Sequence, residues 1–554
     1  MAEVAIIGIL SIERRDDTSM YDILIKNGKI VDGTGIPAYH ADVAIVGEKI
    51  VAVGSLSDQD AKKTIDAEGL VVCPGFIDDH SHGDLNVLAD PYARNQLLQG
   101  ITTEVGGSCG LSFAPIKKEA DRMVSSQIGF ASDEKKAELL RPMTFPEYMD
   151  LVDNTAIAVN LASYIGQGIV RSAVMGYAEG DANEAQLTEM KDIVREGMEA
   201  GAFGLSTGLI YPTGSLTSTE EIIELCKVVA EYDGLYSTHM RGESDTIISS
   251  VEEAIRTAEE SGAHLVISHH KIAGVANHGK STQTLAMVDD AIARGVKVHL
   301  DVYPYIAGAT TLAAAIPRQF LADKTEFVKK AADPELRRQI IDVIENGVVA
   351  GENMVKSCGG LHGIVIASAD ECPQYIGRSL TEIAAEEGKE PYDVLFDLLI
   401  ATDANAMAVF FTNSEDDMIR IMQYPRTMFG TDGSHSSYVN FFRHPRAFGS
   451  FPHILTEYVR DHKVLTLEEM VRKACALPAE VLQLKEKGLI KEGYDADVLV
   501  LDLENMKVHS SFANANGGNE GFKYVLVNGQ VAVENDACTD VLSGKLLRSH
   551  SYKS

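Results

Sequence analysis

The two ends of the chain alternate apolar and polar residues in short runs, whereas the middle switches between compact apolar runs and longer stretches with helical spacing. A period of two marks half-buried strands, and a period near 3.6 marks helices packed on one face. Near the N-terminus, residues 22–25 and 29–31 flank Asn27-Gly28; near the C-terminus, residues 524–527 and 530–533 flank Asn528-Gly529. Asn-Gly favours a two-residue hairpin turn because both positions need positive φ, so a hairpin is predicted at each. Residues 43–46 and 50–53, around Gly47-Glu48-Lys49, predict a third. Strands at opposite ends of one chain are expected to meet in a single small β domain, a sandwich built from residues 20–74 and 484–548.

Between these ends, candidate strands finish at His82, Cys109, Tyr164, Thr207, Met240, His270, Tyr303 and Asp432. Gly201, Gly234, Gly262 and Gly295 each follow a helical run and precede an apolar strand, where a left-handed glycine stops a helix cheaply. Within residues 183–200, Leu187, Met190, Val194 and Met198 share one helical face. Eight strand–helix units predict an α/β fold, a TIM-type (β/α)8 barrel over residues 75–483, with its chemistry at the C-terminal ends of the strands. The stretch from about 320 to 377 fits no unit and is read as an inserted subdomain near that face. Residues 1–19 precede the patterned sequence and are read as an extension.

The composition, 45% hydrophobic and 23% charged over 554 residues, is that of an ordinary globular protein. The net charge of −32 argues against nucleic acid or anionic membranes as partners, since both demand an excess of Lys and Arg. No apolar run approaches the length of a membrane span. The short apolar run after Glu3 lacks the basic flank and cleavage site of a signal peptide. Seven cysteines, odd in number and widely scattered, do not form a disulfide framework and point to the reducing cytoplasm. A small-molecule substrate is expected; oligomeric state is not legible.

The candidate chemistry sits at the strand ends. The run Gly75-Phe76-Ile77-Asp78-Asp79-His80-Ser81-His82-Gly83-Asp84 places two imidazoles one residue apart, and alternate residues of a strand share a face. Taken alone, the pair reads equally as two polar residues at a strand exit. Further along, Cys109, His239, the pair His269-His270 and Asp432 close other strands. Each has an ordinary reading: a small buried thiol, a satisfied core histidine, a turn carboxylate. Together they converge on one rim, and imidazole, thiolate and carboxylate are all zinc ligands. His269 and His270 point to opposite sides of a strand, and residue types alone do not separate them.

Several segments carry a family resemblance: the Gly75–Asp84 run, Gly107-Ser108-Cys109-Gly110, Gly204-Leu205-Ser206-Thr207-Gly208-Leu209-Ile210-Tyr211-Pro212, Ser268-His269-His270-Lys271, Tyr303-Pro304-Tyr305, Thr431-Asp432-Gly433 and His444-Pro445-Arg446. From Tyr21 to about Leu547 the chain resembles the N-acyl-D-amino-acid deacylases (D-aminoacylases) of the amidohydrolase superfamily. Many amidohydrolases carry a carboxylated lysine on strand four; residues 202–209 contain none, and the resemblance assigns the bridging role to Cys109. It implies a tight zinc site of Cys109, His239 and His269, and a second, weaker one of His80, His82, Asp432 and the shared Cys109. It implies Asp432 as general base and then acid, and Arg446, Tyr211 and Lys271 as substrate-binding residues, Arg446 for the substrate carboxylate. The interval from Asp432 to Arg446 looks longer than in the family, which makes Arg443 an alternative. The position of a substrate-contacting serine falls near Ala309-Thr310-Thr311 and stays unassigned.

Other readings compete. Gly204-Leu205-Ser206-Thr207-Gly208 and Gly106-Gly107-Ser108-Cys109-Gly110 both fit the Gly-x-Ser-x-Gly pattern of serine hydrolases, and two hits in one chain show how permissive it is. A non-catalytic scaffold need not keep its ligands, yet every ligand position here is filled. A cyclic-amide hydrolase of the hydantoinase or dihydroorotase kind is the nearest alternative, weakened by the missing strand-four lysine.

Overall fold

In the computed structural model, residues 20–56, 58–117, 133–211, 213–321, 324–347, 349, 352–435 and 444–553 are described. Eight parallel strands form the barrel: β1 (Phe76–Asp78), β2 (Ile101–Gly106), β3 (Asn160–Ser163), β4 (Gly204–Gly208), β5 (Leu235–His239), β6 (His264–Ile267), β7 (Val298–Val302) and β8 (Thr427–Phe429). Ile165–Gly166 continues β3 and pairs with β4. The ring closes where Asp79 N donates to Phe429 O at 3.2 Å and Ser81 bridges Gly433 in parallel. Nearly every barrel-strand residue is buried, because helices cover the outside and side chains fill the inside.

The helical signals are borne out with one correction. The helix α1 (Glu184–Glu199) starts at an Asn183/Gln186 capping box and buries Met190, Val194 and Met198, with Leu187 half-buried beside them. Gly201, Gly262 and Gly295 take φ of 102°, 82° and 96°. At the fourth stop the left-handed residue is Asp233 (φ 49°), not Gly234. Gly234 serves close packing instead, since a Cβ there would lie 2.7 Å from Met198 Cε.

Both chain ends join in one nine-stranded sheet. Val71–Pro74 sits between Tyr21–Ile30, parallel, and Val498–Leu501, antiparallel. Ile25, Val43, Ile45, Val72, Val498, Val500 and Leu526 fill its core. Phe522–Val527 and Gln530–Glu534 turn at Asn528-Gly529 as predicted, and Tyr39–Val46 and Lys49–Gly54 turn at Gly47-Glu48. Asn27-Gly28 is not a turn. Tyr21–Ile30 is one strand with a bulge at that point. Asn27 takes φ 62°, donates from N to Asp42 Oδ1 (2.8 Å) and from Nδ2 to Asp66 Oδ1 (2.9 Å), so side chains of neighbouring strands capture the left-handed residue inside the ladder.

Between β7 and β8 the chain leaves the barrel. Gly308–Thr311, Ile364–Ser368 and Met407–Phe410 form a three-stranded sheet whose helices close over a separate apolar core including Leu312, Ile340, Ile364, Leu395 and Phe396. Among the described residues no helix is long and apolar enough to cross a membrane.

Candidate metal centre

Cys109, just past β2, stands at the middle of the rim. Its Sγ lies 3.3 Å from His80 Nε2, 3.7 Å from His239 Nδ1 and 3.4 Å from His269 Nε2. Asp432 Oδ1 lies 3.2 Å from His82 Nε2 and 3.7 Å from His80 Nε2. Two groups of donor atoms result, each gathered within 4.8 Å: His80, His82, Cys109 and Asp432, and Cys109, His239 and His269. All six side chains named for metal binding are therefore brought together, with Cys109 common to both groups. His270 turns the other way, its Nε2 2.9 Å from Thr284 Oγ1.

Three of these side chains sit on left-handed backbone. Cys109, His269 and Asp432 have φ of 55°, 34° and 47°. Such left-handed residues other than glycine cost on the order of 1–3 kcal/mol each and persist where the surroundings over-determine them. Gly208 makes one such conformation possible: a Cβ there would meet Cys109 O at 2.1 Å.

The charges are balanced by contact. Burial alone would raise both the Asp432 carboxyl and the Cys109 thiol. The Arg446 guanidinium and then His269 outweigh it for Asp432, and His80 and His269 outweigh it for Cys109, so both are held well below their usual ranges. A thiolate with two imidazoles suits zinc better than magnesium or calcium, and the carboxylate group beside it adds a second set of donors.

Residues that sequence reasoning did not single out hold these side chains in place. Asp301, near the end of β7, accepts from His269 N through Oδ1 (2.7 Å) and lies 3.3 Å from His80 Nδ1 through Oδ2. That is the carboxylate–imidazole support usual behind a metal ligand. Glu243 lies behind His269 and His239, at 3.1 Å from His269 Nδ1 and 3.9 Å from His239 Nε2. From the insertion, Glu352 Oε1 accepts from the backbone N of Glu243 and, at 2.8 Å, of Ser244. A polar residue at a strand exit was the available signal for Asp301; Glu243 and Glu352 had none.

The loop after β8 is pinned on both sides of Asp432. Asp78 accepts from Thr431 N (2.8 Å) and Oγ1 (2.6 Å). His435 Nε2 lies 2.5 Å from Glu104 Oε1 and its Nδ1 3.0 Å from Asp90 O. Serving two acceptors requires the imidazolium. Burial opposes that charge, but Glu104 pushes His435 up to about 9. A folded pKa above the unfolded 6.5 gives stability that is complete below pH 6.5 and is lost as pH rises through 9. His435→Gln should therefore cost most at pH 6, on the order of 2–3 kcal/mol, and the gap from wild type should shrink by pH 10. Denaturant melts of both proteins across that range check it; a gap that does not change with pH would contradict the ion pair.

The residues expected from the sequence to bind substrate each touch the donor groups or the carboxylate behind them. Arg446 Nη1 donates to Asp432 Oδ2 at 2.7 Å. His444 Nε2 donates to Ala307 O (2.9 Å), leaving Nδ1 to accept from Arg446 N (3.0 Å). Tyr211 packs its ring edge on His239, centroids 5.0 Å apart. Lys271 Nζ donates to Glu243 Oε1 at 2.7 Å and lies 5.4 Å from the Tyr303 ring, whose face also meets Arg446 at 5.3 Å. Arg443 lies outside the described residues. Ala309-Thr310-Thr311 falls in the insertion's sheet, where Thr310 pairs with Ala408.

Among the described residues neither serine reading finds a triad. Ser206 Oγ is buried, donates to Gly107 O and accepts from Gly110 N at 2.9 Å, and Ser108 Oγ, also buried, has no hydrogen-bond partner among the described residues.

A sequence profile of the Amidohydrolase family matches residues 63–533. The D-aminoacylase of Alcaligenes xylosoxydans xylosoxydans is 34% identical over 96% of this chain and 99% of its own. The N-acyl-D-glutamate deacylase of the same organism is 33% identical over 95% and 96%. Among solved structures, the N-acyl-D-glutamate deacylase of Bordetella bronchiseptica, complexed with zinc and a phosphonate that mimics the reaction's tetrahedral intermediate, shares 32% identity. It superposes with a TM-score of 0.79, covering 96% of this chain and 100% of that one.

Proposed function

Since the chain belongs to the amidohydrolase family, alongside its D-aminoacylases, we propose that it is a zinc-dependent hydrolase of N-acyl-D-amino acids, releasing a carboxylate and a free D-amino acid. The observation that carries this reading is the Cys109 thiol shared by two donor groups beside the Asp432–Arg446 pair, with no lysine on β4. The same feature disfavours a cyclic-amide hydrolase.

Cys109, His239 and His269 would hold the tight zinc, and His80, His82, Cys109 and Asp432 a second, weaker one. When bound, the metal acts as a Lewis acid, polarising the amide carbonyl and acidifying the attacking water. Asp432, kept ionised, takes that water's proton and delivers it to the leaving amine nitrogen. Arg446, with its backbone N fixed by His444, meets the substrate's α-carboxylate. Tyr211, against His239, and Lys271, beside His269, complete the substrate set. The substrate is a small molecule, and the seven free cysteines support a cytoplasmic location.

Arg446 offers the test of substrate class. Arg446→Ala removes the partner of Asp432 for every substrate, and for an N-acyl amino acid it removes the carboxylate's partner as well. A lost charge-assisted hydrogen bond costs about 1.5–3 kcal/mol, so kcat/KM for the free acid should fall roughly ten- to a hundred-fold further than for the matched C-terminal amide. Equal losses on both would make Arg446 structural, and discrimination by Arg443→Ala instead would move the role to that residue.

A further inference from the structure

His269 Nδ1 faces two groups of opposite hydrogen-bonding character. Glu243 Oε1, 3.1 Å away, can only accept, and Lys271 Nζ, 2.8 Å away, can only donate. A neutral imidazole carries one N–H. With the hydrogen on Nδ1 it faces the charged Glu243 carboxylate 3.1 Å away, which favours it electrostatically, and the Nε2 lone pair points at the centre, toward Cys109 Sγ at 3.4 Å. With the hydrogen on Nε2, Nδ1 accepts from Lys271 and the lone pair facing the centre is lost. Glu243 and Lys271 thus favour opposite tautomers of one ligand while pairing with each other at 2.7 Å.

The geometry around Glu243 is that of a held group. Its side chain is buried. Its backbone N donates to Glu352, and its carbonyl O accepts from Ala273 N at 2.8 Å. Its other carboxylate oxygen stands 3.9 Å from His239 Nε2, beyond hydrogen-bond reach, so its close contacts are to His269 and Lys271.

We propose that Glu243 is a positioning residue that sets His269 in its metal-binding tautomer against the opposing ammonium of Lys271. The inference rests on reading Cys109, His239 and His269 as the tight zinc site. Outer carboxylates of this kind change metal affinity by about 10–100-fold.

The test is zinc affinity of the full chain, by competition with a chromophoric chelator. Glu243→Ala should weaken binding by about 10–100-fold. Glu243→Gln, which keeps an acceptor oxygen, should recover most of the loss, and Lys271→Met in the Glu243→Ala background should recover it as well. Unchanged affinity in Glu243→Ala, or a loss that neither change relieves, overturns the proposal. Should Glu243→Ala not fold, Lys271→Met alone decides: binding at least as tight as wild type supports the opposition, and weaker binding overturns it. Failure of the wild-type chain to bind zinc would instead defeat the metal-site reading itself.

Discussion

Asp432→Asn should lower kcat by ~10²-fold or more while leaving the fold and the tight zinc in place. The carboxylate is held from both sides: Arg446 Nη1 donates to Oδ2 at 2.7 Å and Oδ1 faces His82 Nε2 at 3.2 Å. Asparagine keeps that shape but cannot take a proton. The position should survive the change because the loop is fastened independently, by Asp78 to Thr431 on one side and by Glu104 to His435 on the other. The group proposed to hold the tight zinc does not include residue 432. Steady-state kinetics paired with elemental analysis read both halves of this expectation. A variant with normal zinc and near-normal kcat would remove Asp432 from the chemistry.

Cys109→Ala should have the other large effect, on metal and rate together. The thiol is the one donor common to both groups, so its loss leaves two imidazoles in one and three donors in the other. Removing a direct ligand should cost more than the roughly 10–100-fold typical of outer-sphere partners. Zinc measured after gel filtration should drop well below wild type, and activity with it. The smaller side chain leaves a modest cavity at a buried position, so the metal-free melting temperature should move little by comparison. Full zinc and full activity in this variant would show that the thiolate bridges nothing.

The parts of the fold that repeat a local rule were the legible ones. All eight barrel strands lie at or just before the predicted strand ends, since a buried parallel strand between two helical stretches leaves a short compact run that is visible in the chain. Asn27-Gly28 misled because positive φ serves a bulge as well as a turn, and what decides between them is Asp42 and Asp66 on neighbouring strands. His269 and His270 could not be separated by residue type; the structure separates them by what each meets, Cys109 inside and Thr284 outside. Glu243 and Glu352 were illegible for a deeper reason. Their meeting spans 109 residues and runs through backbone amides, which leave no mark in residue identity.

The central claim is zinc-dependent hydrolysis of an N-acyl-D-amino acid. It is tested most directly by presenting the zinc-reconstituted enzyme with paired N-acetyl-D- and N-acetyl-L-amino acids and following release of the free amino acid, with and without a chelator. The account predicts release from the D-substrates, loss of that activity on chelation and its return with zinc. Equal turnover of both enantiomers, or hydrolysis that persists in fully metal-free enzyme, would contradict it.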